Sequence, residues 1–162
     1  MTEPVMQAPA NAQVRFPPPL VYILPLAATP FLDSRWPLPL FGGQWHAPQN
    51  VASVILVLLG ILTMASALIR FRRAGTSPVP IRPVTALVFT GPYRWTRNPM
   101  YLGLMIAYLG GIVLLRSWWA VIFLPLVWWV MNAYVIAREE RYLDATFGDA
   151  YRTYRARVRR WI

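Results

Sequence analysis

The sequence predicts an all-α integral membrane protein of about four transmembrane helices. A cytoplasmic turn joins the second and third spans, and an amphipathic helix ends the chain. Three observations predict this class. The 162 residues are 57 % hydrophobic and include eight tryptophans, more apolar material than a soluble domain of that size can cover with polar surface. Long runs carry no charge at all. The sixteen basic residues, all arginine, fall between and after those runs rather than along one stripe, against six acidic residues. A net charge of +10 can signal nucleic-acid binding, but this distribution argues against it. With no cysteine, disulfides, thiolate nucleophiles and cysteine metal sites are excluded.

In order, residues 1–15 read as a flexible N-terminus without the features of a signal peptide. Phe16 to Leu32 is apolar but holds Pro17, Pro18, Pro19, Pro25 and Pro30. A helix can begin after the three prolines, with Pro25 as a kink. This first span is short against the roughly 20 residues of a full crossing. Asp33 to Asn50 is a loop with Trp36 and Trp45 at interface depth; His46, alone there, lacks the partners a metal site needs. Val51 to Ile69 is a charge-free second span of 19 residues. Arg70, Arg72 and Arg73 stop it. Pro78, Pro80, Arg82 and Pro83 then make an irregular loop. Thr85 to Phe89 reads as extended. Pro99 to Leu115 is the third span, with Gly103, Gly110 and Gly111 permitting close helix approach. Arg116-Ser117 is a hairpin, and Trp118 to Ala137 is the fourth span, with Pro125 as a kink.

Six arginines lie between spans two and three, seven follow span four, and Arg35 and Arg116 fall opposite. The positive-inside rule therefore places both basic segments and both termini in the cytoplasm. The bundle is residues 16–137, including a cytoplasmic loop at 70–98. Residues 138–162 form a cytoplasmic tail in which Leu143, Phe147, Tyr151, Tyr154, Val158 and Trp161 recur at helical spacing. Gly148 breaks that helix, and Asp149 is the expected cap of its second piece. Such a tail can lie on anionic headgroups or fold over a site.

Thr90 to Tyr101 is the most informative stretch. Gly91-Pro92 reads as a loop, and Asn98-Pro99 as a helix start with the asparagine side chain capping the first amides. It delivers Tyr93, Arg94, Trp95, Arg97 and Tyr101 to a helix mouth suited to an anion. The pair Glu139-Glu140 emerges on the same side, so the two patches can form one site. Locally, Glu139 and Glu140 also read as a solvated helix end balanced by Arg138 and Arg141.

Thr90 to Tyr101, Glu139-Glu140, and Phe147-Gly148 with Tyr151 and Tyr154 together resemble the isoprenylcysteine carboxyl methyltransferases and phospholipid methyltransferases, over a region from about Arg70 onward. The resemblance implies a methyltransferase using S-adenosyl-L-methionine, a lipophilic acceptor and, from its prokaryotic-type members, a bacterial inner membrane. It implies cofactor contacts at Thr85, Ala86, Leu87, Val88, Tyr93, Asn98, Pro99, Met100, Tyr101 and Glu139, with Glu140 beside them. Arg97 and Glu139 are the residues expected to carry the chemistry. Asn98 stands where the prenylcysteine enzymes have histidine, and Val135 where they have a substrate arginine. The acceptor is accordingly open among thiol, carboxylate, amine headgroup and quinone-like ring. A membrane NADPH-dependent reductase of the sterol reductase type and a non-catalytic scaffold are the alternatives from other classes.

Overall fold

The computed structural model describes residues 11–43, 47–77 and 83–162; Trp45, His46, Pro78, Pro80, Arg82 and residues 1–10 lie outside them. The described residues form helices and turns, with two isolated β-bridges and no strand. Helix α1 is Leu20–Arg35, α2 is Ala47–Arg73, and α3 is Pro99–Leu115. Helix α4 runs Trp118–Phe147, and α5 is Asp149–Arg157.

Of these, α2 with 27 residues and α4 with 30 are long and apolar enough to cross a bilayer, and α3 is a shorter apolar helix of 17. Only 17 % of the most apolar window of α2 is buried inside the protein. Leu58, Leu59 and Leu62 on α2 and Leu126, Trp128 and Trp129 on α4 point outward. A soluble core helix would hide such side chains; long outward apolar faces of this kind suit a lipid surround. Helix α1, with 16 residues, reaches about 24 Å at 1.5 Å per residue, less than the hydrocarbon thickness. The three prolines before it explain the short length. It runs through Pro25 and Pro30 without a break and ends at Arg35, beyond the apolar stretch.

The tightest packing joins α2 and α3, which lie antiparallel. A Cβ added at Gly60 would stand 2.5 Å from the carbonyl oxygen of Gly103, and one at Gly103 would stand 2.6 Å from that of Gly60. One helical stretch further on, the Ser53 hydroxyl donates to the Gly110 carbonyl at 2.9 Å. Small residues let the backbones meet, and a polar side chain bonds across the seam. Helix α1 packs on the other side of α3, where Tyr22 meets Tyr108 edge-on at 6.3 Å and Leu26 fills the space above Gly111.

The α3–α4 hairpin forms as expected at Arg116-Ser117, with Arg116 left-handed at φ 52°. Ser117 caps α4 by accepting from the Trp119 amide and donates to Asp33 at 2.9 Å. Bonds from Leu40 N to Arg116 O and from Trp118 N to Leu38 O tie the exit of α1 to this hairpin. Helix α4 is interrupted at Phe123, two residues before Pro125. It then widens into a π-helical stretch over Val130–Ile136, which the sequence reading does not anticipate. A π turn holds more residues than an α turn, so it rotates everything beyond it, including Glu139 and Glu140. The final apolar residues of the tail depart from the expected helix: α5 ends at Arg157, and Trp161 sits on a non-helical strap.

Replacing Gly60 or Gly103 with leucine overpacks the α2–α3 seam, at a cost of about 1–3 kcal/mol or more. Thermal melting in detergent is expected to show this loss, whereas Leu62→Ala, on the outward face, leaves the midpoint near wild type.

Candidate functional site

The two polar patches converge. Tyr93, Arg97, Asn98, Met100, Tyr101 and Glu139 line one small cavity with Phe71, Tyr142 and Leu143. Each wall has a local cause. Gly91 takes φ +64°, allowing the chain to enter a 3₁₀ turn over Gly91–Arg94, with Arg70 packed against it. The turn sets Tyr93 edge-on to Phe71 at the end of α2, ring centroids 5.5 Å apart. The Tyr154 hydroxyl of α5 donates to the Tyr93 carbonyl at 2.8 Å. Burial, with Tyr154 and Glu139 nearby, pushes the Tyr93 phenol well above its ordinary range, so it stays a neutral donor.

Neighbouring positions on a helix lie about 100° apart, and the two glutamates consequently face different partners. Tyr101 donates its hydroxyl to Glu139 Oε1. Glu140 is 7 % exposed and meets two guanidinium groups: Arg97 Nη2 at 3.0 Å from Oε1, and Arg160, whose Nε lies 3.2 Å from Oε1 and whose Nη2 holds Oε2. The balancing by Arg138 and Arg141 is not what forms. Arg138 stacks over the Tyr134 ring, and Arg141 donates to the Ala137 carbonyl. Arg97 keeps Nε and Nη1 buried and without a hydrogen-bond partner among the described residues.

The strap after α5 closes this arrangement. Arg97 N donates to Arg159 O at 2.9 Å, and the Arg160 carbonyl accepts from Thr96 Oγ1 at 3.0 Å and Asn98 Nδ2 at 2.9 Å. Trp161 Nε1 donates to Asn132 Oδ1 on α4 at 2.9 Å. Asn98 precedes α3 without a side-chain capping bond, and its Nδ2 donates to the strap. Asp149 likewise caps nothing; it is the first residue of α5 and pairs with Arg152.

Other expected site residues fall differently. Pro99 is buried behind the cavity as the first residue of α3. Thr85, Ala86, Leu87 and Val88 form no part of the lining. The Thr85 amide instead donates to Thr76 Oγ1 at 2.9 Å, and Val84 takes the wall position, its own amide donating to the Tyr142 hydroxyl at 3.1 Å. Val135, at the departed substrate position, is fully buried. Sequence reasoning missed Phe71, Tyr142 and Leu143 as wall residues. Tyr142 and Leu143 stand three and four positions after Glu139, on the same helix face, which is a signal that could have found them.

The cavity measures about 80 Å³, against roughly 300 Å³ and more for a site enclosing a drug-sized ligand. It is a recess where the polar groups meet, with Ala12, Ser77 and Val84 completing its walls. The donor set suits an amphoteric molecule: a carboxylate for a cationic or hydroxyl group, free guanidinium donors for an anion, and aromatic faces between them.

The bundle thus carries outward apolar helices and a polar, aromatic recess at one end. Residues 48–150 match the phospholipid methyltransferase family model, and the chain belongs to that family. An uncharacterized protein of Haemophilus influenzae is 44 % identical over 66 residues, which is 39 % of this chain and the whole of that protein. The protein-S-isoprenylcysteine O-methyltransferase of Schizosaccharomyces pombe is 39 % identical over 72 residues, 44 % of this chain but 30 % of that enzyme.

Glu140→Ala leaves the buried Arg97 without its carboxylate, an effect of about 3–5 kcal/mol for a buried pair; the expected loss lies at the lower end because Arg160 keeps access to water. Tyr154→Phe removes one hydrogen bond, about 1 kcal/mol. Chemical denaturation of the detergent-solubilised protein is expected to rank the two in that order.

Proposed function

We propose that this chain is a membrane methyltransferase that takes its methyl group from S-adenosylmethionine and gives it to a lipophilic acceptor. The observation that carries the reading is the recess shared by Glu139, Arg97 and Tyr93, in a chain of the phospholipid methyltransferase family. When bound, the cofactor supplies a methyl group on an electrophilic sulfonium, open to in-line displacement. Such a reaction needs alignment and exclusion of water more than a dedicated nucleophile.

The roles follow from the side chains. Glu139, oriented by the Tyr101 hydroxyl, accepts from the ammonium or ribose hydroxyls of the cofactor. Arg97 offers its two unbonded donors to the carboxylate. Tyr93, Phe71 and Tyr101 present aromatic surface near the sulfonium, where a cation is favoured by the ring faces. Asn98 and Met100 line the remaining wall. The acceptor, lipid-like in tail and nucleophilic in head, arrives from the bilayer, and the cofactor from the cytoplasm, with four crossings and both termini on that side.

Glu139→Ala is expected to abolish binding of S-adenosylhomocysteine, measured by calorimetry in detergent, while the protein melts as a folded species. Unchanged affinity in that variant would overturn the assignment. A total lipid extract incubated with radiolabelled cofactor and the wild-type protein then identifies the acceptor by what becomes labelled.

A further inference from the structure

The cluster around Glu140 holds one more arginine than its carboxylate needs. Arg160 engages both oxygens, Nε to Oε1 at 3.2 Å and Nη2 to Oε2 at 2.5 Å. Among the described residues, Arg97 makes one side-chain contact with Glu140, Nη2 to Oε1 at 3.0 Å, and keeps two buried nitrogens without a hydrogen-bond partner. That division is unexpected on energetic grounds alone. A guanidinium and a carboxylate favour two parallel hydrogen bonds, and of the two arginines Arg97 is the more buried, its side chain 11 % exposed against 35 % for Arg160. Arg97 shares Oε1 with Arg160, and Oε2 is held by Arg160.

Arg160 is itself fixed from several directions. Its carbonyl accepts from Thr96 and Asn98, the residues on either side of Arg97. The preceding residue accepts from the Arg97 amide, and the following one donates to Asn132. The backbone of the strap thus sets the height of the Arg160 side chain relative to the turn that carries Arg97.

We propose that Arg160 is a positioning residue: by occupying both oxygens of Glu140 it keeps two donors of Arg97 free for an anionic group seated in the recess. The proposal rests on the preceding reading of Arg97 as the carboxylate contact. Without Arg160, Arg97 turns onto Glu140 and satisfies its donors there, and the recess loses its anion site. Glu140 in this account is both the anchor of Arg97 and its competitor, and Arg160 decides which.

The test is calorimetric titration of S-adenosylhomocysteine into wild type, Arg160→Ala, and Arg160→Ala combined with Glu140→Gln, each checked for a cooperative melt in detergent. Arg160→Ala is expected to weaken binding about tenfold, the scale of one charge-assisted hydrogen bond. Adding Glu140→Gln is expected to restore affinity, since a neutral amide cannot hold Arg97 as a charged two-point partner. A merely structural role predicts the opposite, a double variant no better than the single one. Should Arg160→Ala fail to fold, Arg160→Lys keeps the charge with one point of contact, and a loss of affinity intermediate in size is expected. Wild-type affinity in Arg160→Ala or Arg160→Lys, or no recovery in the double variant, overturns the proposal while leaving the methyltransferase reading intact. Absence of binding by the wild type overturns both.

Discussion

The backbone-to-backbone meeting of α2 and α3 at Gly60 and Gly103 is the constraint from which the site follows. Each glycine admits the other's carbonyl oxygen at a distance no Cβ would allow, so the two helices are locked in register as well as in contact. Eleven residues beyond Gly60, in its last turn, α2 presents Phe71 edge-on to the Tyr93 ring; two residues before Gly103, α3 presents Tyr101. The aromatic wall and the hydroxyl that orients Glu139 are thereby held at one depth. The hydrophobic effect gives little help inside a bilayer, where lipid tails are as apolar as leucine. Close packing and the Ser53 bond to Gly110 perform that task instead.

Onto this frame α4 brings two adjacent glutamates with separate duties. Glu139 meets the recess and Tyr101, whereas Glu140 holds Arg97 and Arg160. The π-helical stretch immediately before them sets the rotation that makes this possible. Irregular helical turns often accompany functional positions, and here the irregularity ends at Ile136, three and four residues before the two charges it aims.

Much of the frame was legible from residue patterns. The charge-free run after Val51, the glycines of the third helix and the Arg116-Ser117 hairpin all appear where composition and spacing put them. The break at Gly148 does too. What sequence could not reveal were choices among partners. Asn98 has the oxygen of a cap, but the bond its side chain makes is a donation from Nδ2 to the strap; the Glu139-Glu140 pair is flanked by arginines in sequence, and Glu140 pairs with two that are distant. Local propensity names the groups able to bond, but only tertiary packing decides which bond forms. The wall at Val84 rather than at residues 85–88 is the same lesson in an extended segment, where no periodicity marks the inward side.

The charges of this protein fall into two populations with different exposure to solvent. Arg152 is 61 % exposed in its pairs with Asp144 and Asp149, and such contacts fade as added electrolyte shortens the reach of Coulomb forces. The Arg97–Glu140 pair, sheltered at about a tenth exposure on both sides, is largely outside that screening. Ionic strength therefore acts on the ion pairs of the tail's outer face while sparing the interior pair, so a salt gradient separates the surface pairs of α5 from the integrity of the recess.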